Sequence, residues 1–559
     1  SAASVMEAIE QSEAFSGRAG NPGVALVETM VLAALKSVDL KHGGFGGQPK
    51  FPHSSVLDLL IDRSSRVSAA TVKLTGMGTV PISEAAGRAV AGTLEKMARG
   101  GIYDHLAGGF HRYSVDEHWV VPHFEKMAYD NSELLKNYVH AYLTTGNERF
   151  ADVARDIVRW MDECLSDRER GGFYASQDAD FSLEDDGDYF TWTCDEAAEV
   201  LTAEELAVVS AYYDIGEIGD MQHNVAKNVL HVKLGLDVVA RKAGVSVGEA
   251  EALLGTAKEK LYAARMKRPA PYVDKTMYVG WNAMCISAYL AAGRALGMER
   301  ARKFALKSLD RVLAAAWSAE GLAHVVAYGE AEVAAARVAA GLDDAVFLGC
   351  AALDAWEAMG EMRYFRAAVE LTEIAVERFY DGEGGGFFDT EKAADGERRL
   401  GALATRRKPL QDSPTPAGNP VAAMLLMRVA ELTGRLDYAE KAQETLETFA
   451  GVAEHFGLYA ATYALALQRL VREPVAVCVI GDDAVAAELE RAALRRYAVN
   501  KSVVRLSKGQ LGELPEVLAA SLPRLPKVEG SFAVVCSGHT CQPPVRTVEE
   551  LVGVLGRSL

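Results

Sequence analysis

Between residues 100 and 131 the chain reads GGIYDHLAGGFHRYSVDEHWVVPHFEKMAYDN. This stretch holds five carboxylates (Asp104, Asp116, Glu117, Glu125, Asp130) and four of the chain's twelve histidines (His105, His111, His118, His123), with Tyr103, Tyr113, Trp119 and Tyr129 between them. Aromatic faces stack on sugar rings, carboxylates and a guanidinium such as Arg112 bind hydroxyls, and His or Glu moves protons, so the composition suits a carbohydrate pocket. The competing reading is a hydrogen-bonded plug at one end of a helical ring. Three further segments carry polar groups just ahead of helical stretches: Asp274, Lys275, Trp281 and Asn282 in YVDKTMYVGWNAM, Asp343 and Asp344 in GLDDAVF, and Asp412, Thr415 and Asn419 in RRKPLQDSPTPAGNP. Asp, Asn and Thr are also good helix caps, so each is singly ambiguous between cap and ligand. Asp178 opens an acidic run to Asp188 that lacks the ligand order of a calcium loop and reads as solvated. His105 and His111 are six apart and His118 and His123 five apart, neither a zinc spacing. No metal and no cofactor are therefore expected.

The elements that position these groups repeat. An amphipathic helix ends at a glycine, a second helix follows, and about 25 residues on comes a Gly-Gly-Phe-like turn. The clearest copies run 146–173, 297–322, 360–387 and 434–458, with looser ones around 43–47 and 84–110. Two helices per unit predict a mainly α chain of helical hairpins closing into an (α/α)6 toroid, whose inner-helix starts open onto one rim. Residues 183–262 interrupt the repeat as an insertion. Beyond Arg472, EPVAVCVIGDD, NKSVVRLS and GSFAVVCSG are strand-length apolar runs alternating with helical stretches, which predicts a small parallel α/β domain over 473–559. The toroid is expected over 31–472, and residues 1–30 read as a linker helix.

Of the 559 residues, 49% are hydrophobic and 24% charged, ample for a packed core. A net charge of −18 argues against nucleic acid or an anionic membrane as the main partner, and no apolar run reaches the length of a membrane span. The seven cysteines read as free thiols in a reducing compartment, whether cytoplasm or organelle, with Cys536 and Cys541 marking a structural turn.

In order, GGFGGQPKFPH, the 100–131 stretch, DADFSLEDDGDYFTWT, DKTMYVGWNAM, SPTPAGNPVAA and the closing VCSGHTCQPPV resemble segments of the spermatogenesis-associated protein 20 family of thioredoxin-domain-containing proteins. The resemblance covers nearly the whole chain. It implies a toroid similar to the N-acylglucosamine 2-epimerase superfamily with a small C-terminal domain. Members usually begin with a thioredoxin-like domain carrying Cys-x-x-Cys, which these residues lack, and Pro420 stands where the family tends to have serine. Sugar 2-epimerases of that superfamily use two histidines as acid and base, and related toroids cleave glycosidic bonds with two aspartates. The resemblance would give the first role to His111 and His123, with Glu125 orienting one. It would give the second to Asp130 and Asp344. Neither set maps residue for residue, so the resemblance implies the cavity and not the reaction. Tyr103, Arg112, Trp119, Asp178, Asp274, Trp281, Asn282, Asp412 and Asn419 are expected to bind the sugar. The expected function is a sugar isomerase, epimerase or hydrolase acting on a small-molecule carbohydrate. The alternative is a catalytically inactive sugar- or protein-binding scaffold normally linked to a thioredoxin-like redox module, compatible with a protein partner or a larger assembly.

Overall fold

The computed structural model of the chain describes residues 20–66, 70–74, 76–182, 185–318, 321–328, 338–392, 406–522, 528–538 and 540–558. Six helices among them, Ser54–Ser64, Ala128–Thr145, Val279–Leu296, Leu342–Met359, Gly418–Thr433 and Ala461–Leu470, pack each against the next, and the last returns to the first. They are buried nearly all round, as an inner ring requires. Their outer partners are Ile82–Arg99, Glu148–Cys164, Glu299–Ala316, Met362–Phe379, Leu436–Ala450 and, from the opposite end of the chain, Val24–Lys36. The outer helices bury one stripe only, such as Phe150, Ala154, Ile157, Val158 and Met161 in the second. This is the (α/α)6 toroid. The expected boundary at residue 30 falls inside Val24–Lys36, because that helix is the outer half of the sixth hairpin rather than a linker. Residues 1–19 lie outside the described residues.

Four hairpins end in the same turn, Asp-x-x-x-Gly-Gly-Phe, at Asp39, Asp104, Asp167 and Asp381. In each, the Asp N–H donates to the second glycine's carbonyl and the first glycine's N–H donates to the Asp carbonyl, at 2.7–3.0 Å. Both glycines take φ between +69° and +105°, a region that favours glycine. A cation meets each carboxylate: Lys50 at 2.6 Å, Lys126 at 2.7 Å, Arg311 at 3.0 Å and Lys408 at 2.6 Å. Three of the phenylalanines are then clamped by an asparagine in the first turn of the next inner helix. The Asn131, Asn282 and Asn419 Oδ1 atoms accept the N–H of Phe110, Phe173 and Phe387 at 2.7, 2.7 and 2.6 Å, and each Nδ2 donates back to the same residue's carbonyl. These three Gly-Gly-Phe turns therefore fasten the rim.

The insertion folds into four helices, Cys194–Val200, Ala203–Tyr213, Leu236–Ala243 and Val247–Arg265, over a core of their own that includes Trp192, Val209, Tyr213 and Leu261. A reciprocal Thr193–Glu196 cap starts it. Residues 188–192 form a turn ending in one bridge from Trp192 to Asn228. Arg265 docks the insertion through a 2.8 Å bond to Asp104.

The C-terminal sheet runs in the order Lys501–Leu506, Val475–Ile480, Phe532–Ser537, Thr540–Cys541. Only the first pair is parallel, so the sheet is mixed and not parallel as expected; Phe532–Ser537 returns antiparallel against Val475–Ile480. Alternate residues face two ways. Val475, Val477 and Val479 meet Ala484–Leu494 and Val548–Ser558, while Cys478, Ile480, Val504 and Leu506 join the toroid's core. Cys536 and Cys541 form a disulfide, which corrects the reading of all seven cysteines as free thiols; they are cross-strand partners in the closing hairpin. The other five remain free.

Candidate functional site

The inner-helix starts converge on one rim, around a pocket of about 280 Å³ lined by Phe51, His53, Arg112, Tyr129, Asp130, Asp412 and Tyr459 among others. Below it, on the ring axis, lies a second cavity of about 320 Å³ whose floor is the C-terminal domain, including Tyr497, Lys501 and Val503. Ser55, Glu133 and Pro416 border both. In the lower cavity, Tyr497 stacks on His140 with ring centres 3.8 Å apart. Several charges there are paired, with Lys136 on Glu133 at 2.7 Å and Arg428 between Asp354 and Glu357.

Asp130 is the most perturbed group at the rim. It sits in the first turn of Ala128–Thr145, where a helix N-terminus would favour its charge. Burial nevertheless pushes its carboxyl up to about 8, aided by the charges of Glu125 and Glu133 and opposed by Arg112, whose Nε lies 4.0 Å away. Its Oδ2 is buried and makes no hydrogen bond to any described residue. Arg112 instead binds Glu125 Oε2 at 3.2 Å, and His123 Nε2 lies 3.7 Å from the same oxygen. His123 stacks on Tyr113, and Tyr113 on Phe51, which carries this cluster to the pocket wall. Asp412 is also pushed up to about 7 by burial, although the N–H groups of Ala417 and Thr462 bond its two oxygens at 3.0 and 2.9 Å. Asp178, raised by burial and by the nearby Glu125 and Asp274, belongs to the same acidic side of the rim.

Behind the lining residue Tyr129, Trp281 meets that ring edge-on at 4.8 Å and Tyr278 at 4.6 Å, and Tyr278 in turn meets His324. The His324 Nδ1 atom is 2.8 Å from Asp344 Oδ2, and that bond raises the imidazole's pKa against the effect of burial. Asp344 also accepts the N–H of Gly280 and of Gly341, both at 2.9 Å. It is thus at once a cap and the residue that orients His324. Beside it, burial and the Asp344 and Asp389 charges push Asp343 up to about 7, and its Oδ1 is buried with no hydrogen bond to a described residue.

Other expected site residues lie elsewhere. His111 is buried, its Nδ1 2.7 Å from the Phe124 carbonyl and its ring edge-on to Phe124 and Phe190. The Tyr103 hydroxyl donates to Asp156 on the outer layer. Trp119 is fully buried and donates from Nε1 to the Gly43 carbonyl at 3.3 Å. Asn282 and Asn419 are the turn clamps described above. Asp274 accepts from the N–H and hydroxyl of Thr276 and closes its own loop. Most of the 100–131 stretch is therefore the plug, and Arg112, His123, Glu125, Tyr129 and Asp130 are the part that reaches the rim. Sequence reasoning missed His324 and His53. His53 did carry a signal, as the last residue of GGFGGQPKFPH just before an inner helix; His324 stands alone in GLAHVVAY and carried none.

No protein-family profile matches the chain. Spermatogenesis-associated protein 20 of Homo sapiens is 30% identical over 573 residues, covering 95% of this chain and 69% of that protein. The Mus musculus protein of the same name is 33% identical over 447 residues, covering 74% of this chain and 53% of that protein, so the match spans about half the length of the mouse relative. Among solved structures, a mannosylglycerate hydrolase from Thermus thermophilus is similar at 13% identity and TM-score 0.37, covering 79% of this chain and 99% of the other. A sugar epimerase from a ruminal bacterium is similar at 14% identity and TM-score 0.32, covering 72% and 99%. No helix among the described residues is long and apolar enough to cross a membrane.

Proposed function

The chain belongs to the spermatogenesis-associated protein 20 family, and on that premise we propose that its rim pocket is the active site of a carbohydrate-directed enzyme of the isomerase, epimerase or glycosidase type. The observation that carries the reading is Asp130: a pocket-lining carboxyl kept protonated near neutral pH, with an unbonded oxygen and a guanidinium beside it. Such a group is a general acid at pH 7. Arg112 suits the oxygen that gains negative charge when a proton leaves the carbon next to a sugar carbonyl. His123 with Glu125 on one flank and His324 with Asp344 on the other are the candidate bases, and two imidazoles favour proton shuttling over glycosidic cleavage. Trp281, Asp178 and Asp412 are assigned to substrate contact.

A second reading, a non-catalytic sugar- or protein-binding scaffold, draws support from the many expected ligands that bond to the protein itself: His111, Tyr103, Trp119, Asn282 and Asn419. The test is thermal stabilisation by a panel of mono- and disaccharides, followed by isomerisation, epimerisation and hydrolysis assays on each ligand found. Asp130→Asn should keep binding and lose turnover by about 10² or more. Binding without turnover in the unmodified chain supports the scaffold. A panel in which no sugar stabilises the protein refutes both sugar readings.

A further inference from the structure

Outside the rim pocket, one cluster has the geometry of a metal site. We infer that His42, Glu117 and His118 bind a divalent transition metal, zinc foremost, and that the ion staples two rim loops together. The His42 and His118 Nδ1 atoms face each other at 3.0 Å, and their rings stand nearly perpendicular, 4.2 Å between centres. Two nitrogens bound to one tetrahedral zinc at 2.0–2.1 Å lie about 3.4 Å apart, so a small opening of the pair admits the ion. Glu117 Oε1 is 3.7 Å from His118 Nε2 and 3.9 Å from His42 Nε2. One ligand atom from each of the three residues falls within 4.8 Å of the others. His42 Nε2 is buried and makes no hydrogen bond to a described residue. Two imidazoles with one carboxylate suit zinc, copper or nickel rather than magnesium or calcium.

The frame is rigid where a metal site needs it. His42 belongs to the first Asp-x-x-x-Gly-Gly-Phe turn, and Glu117 and His118 to a loop 75 residues on. Fully buried Lys50 joins them, donating to Asp39 at 2.6 Å and to the Glu117 carbonyl at 2.9 Å. Trp119, next to His118, bonds the carbonyl of Gly43, next to His42. Asp116 accepts the His118 N–H at 2.6 Å. These bonds fix the backbones that carry the ligands without occupying the ligand atoms. The Glu117 and His118 side chains are half exposed, so the ion has an entry path and room for water at its remaining positions.

The experiment is titration of the full chain, stripped with chelator, with Zn²⁺ alone by calorimetry, and in parallel with Co²⁺ by its visible absorption. Variants His42→Ala and His118→Ala are compared with the exposed control His455→Ala. The expected result is one equivalent bound by the unmodified chain and the control, with at least tenfold weaker binding and loss of the cobalt spectrum in the other two. His118 is half exposed, so His118→Ala should keep the metal-free melting temperature and separate lost binding from lost fold. Absence of a stoichiometric site in the unmodified chain overturns the inference, and so does equal binding by His118→Ala.

Discussion

Replacing Asp130 by asparagine tests the electrostatics of the rim without needing a substrate. The carboxyl's ordinary value is 3.8 and burial raises it to about 8. Between those values the native chain holds a proton that the unfolded chain has released, so stability falls as pH rises, at about 1.4 kcal/mol per pH unit. From pH 5 to pH 7 the loss is about 2.7 kcal/mol. It is absent below pH 3.8, where both states are protonated, and constant above pH 8, where both are ionised. Asparagine keeps the shape and does not titrate, so the variant escapes this loss, while Asp343 and Asp412 titrate alike in both proteins and cancel in the difference. With an unfolding entropy of about 2.1 cal/mol/K per residue, a cooperative unit of this size converts 2.7 kcal/mol to about 2 °C. The assay is the melting temperature of both proteins at half-unit steps of pH. The variant should gain on the unmodified chain by that amount between pH 5 and 7. A gap that stays flat over that range means Asp130 is ionised in the native state, and the general-acid role falls with it.

Two further outcomes follow from the scaffold. Asn282→Ala removes the bonds to Phe173 and Tyr278 and should destabilise by roughly 2–3 kcal/mol while leaving sugar binding unchanged, which a paired denaturation and ligand-shift measurement would show. Asp104→Asn leaves buried Lys126 and Arg265 without their counter-charge and should cost about 3–5 kcal/mol. Limited proteolysis should then cut within residues 183–265 well before the ring, and equal resistance of both proteins would contradict the docking role of that carboxylate.

The ring was legible because its signals are local: a glycine after each helix and a Gly-Gly-Phe turn at a fixed distance. The convergence of the inner-helix starts on one rim follows from that topology. Individual roles were not legible, since a clamp and a ligand use the same residue types. Asn282 lies next to Trp281 in sequence, yet one fastens Phe173 and the other packs beside the pocket. His111 and His123 look alike in the chain and differ by burial, which depends on Phe190 in a segment 79 residues away. Partnerships over long separations left no trace at all. His118 pairs with His42 rather than with His123, and Arg265 reaches Asp104 across 161 residues. The direction of Phe532–Ser537 was not legible, because a six-residue pairing reads the same in either direction from apolar content alone.

Closure of the ring by Val24–Lys36 against Ala461–Leu470 has a consequence for biosynthesis. The apolar stripe of the first outer helix, with Val27, Met30, Val31 and Leu35, touches Ser54–Ser64 only lightly and lacks its main inner partner until the sixth inner helix leaves the ribosome. At 5–20 residues per second, the intervening four hundred or so residues take roughly 20–90 s to make. Over that interval the nascent chain is an open arc with two sticky ends. Chaperone dependence during translation, and vulnerability of truncated or stalled products, are thus built into the order in which this ring is wound.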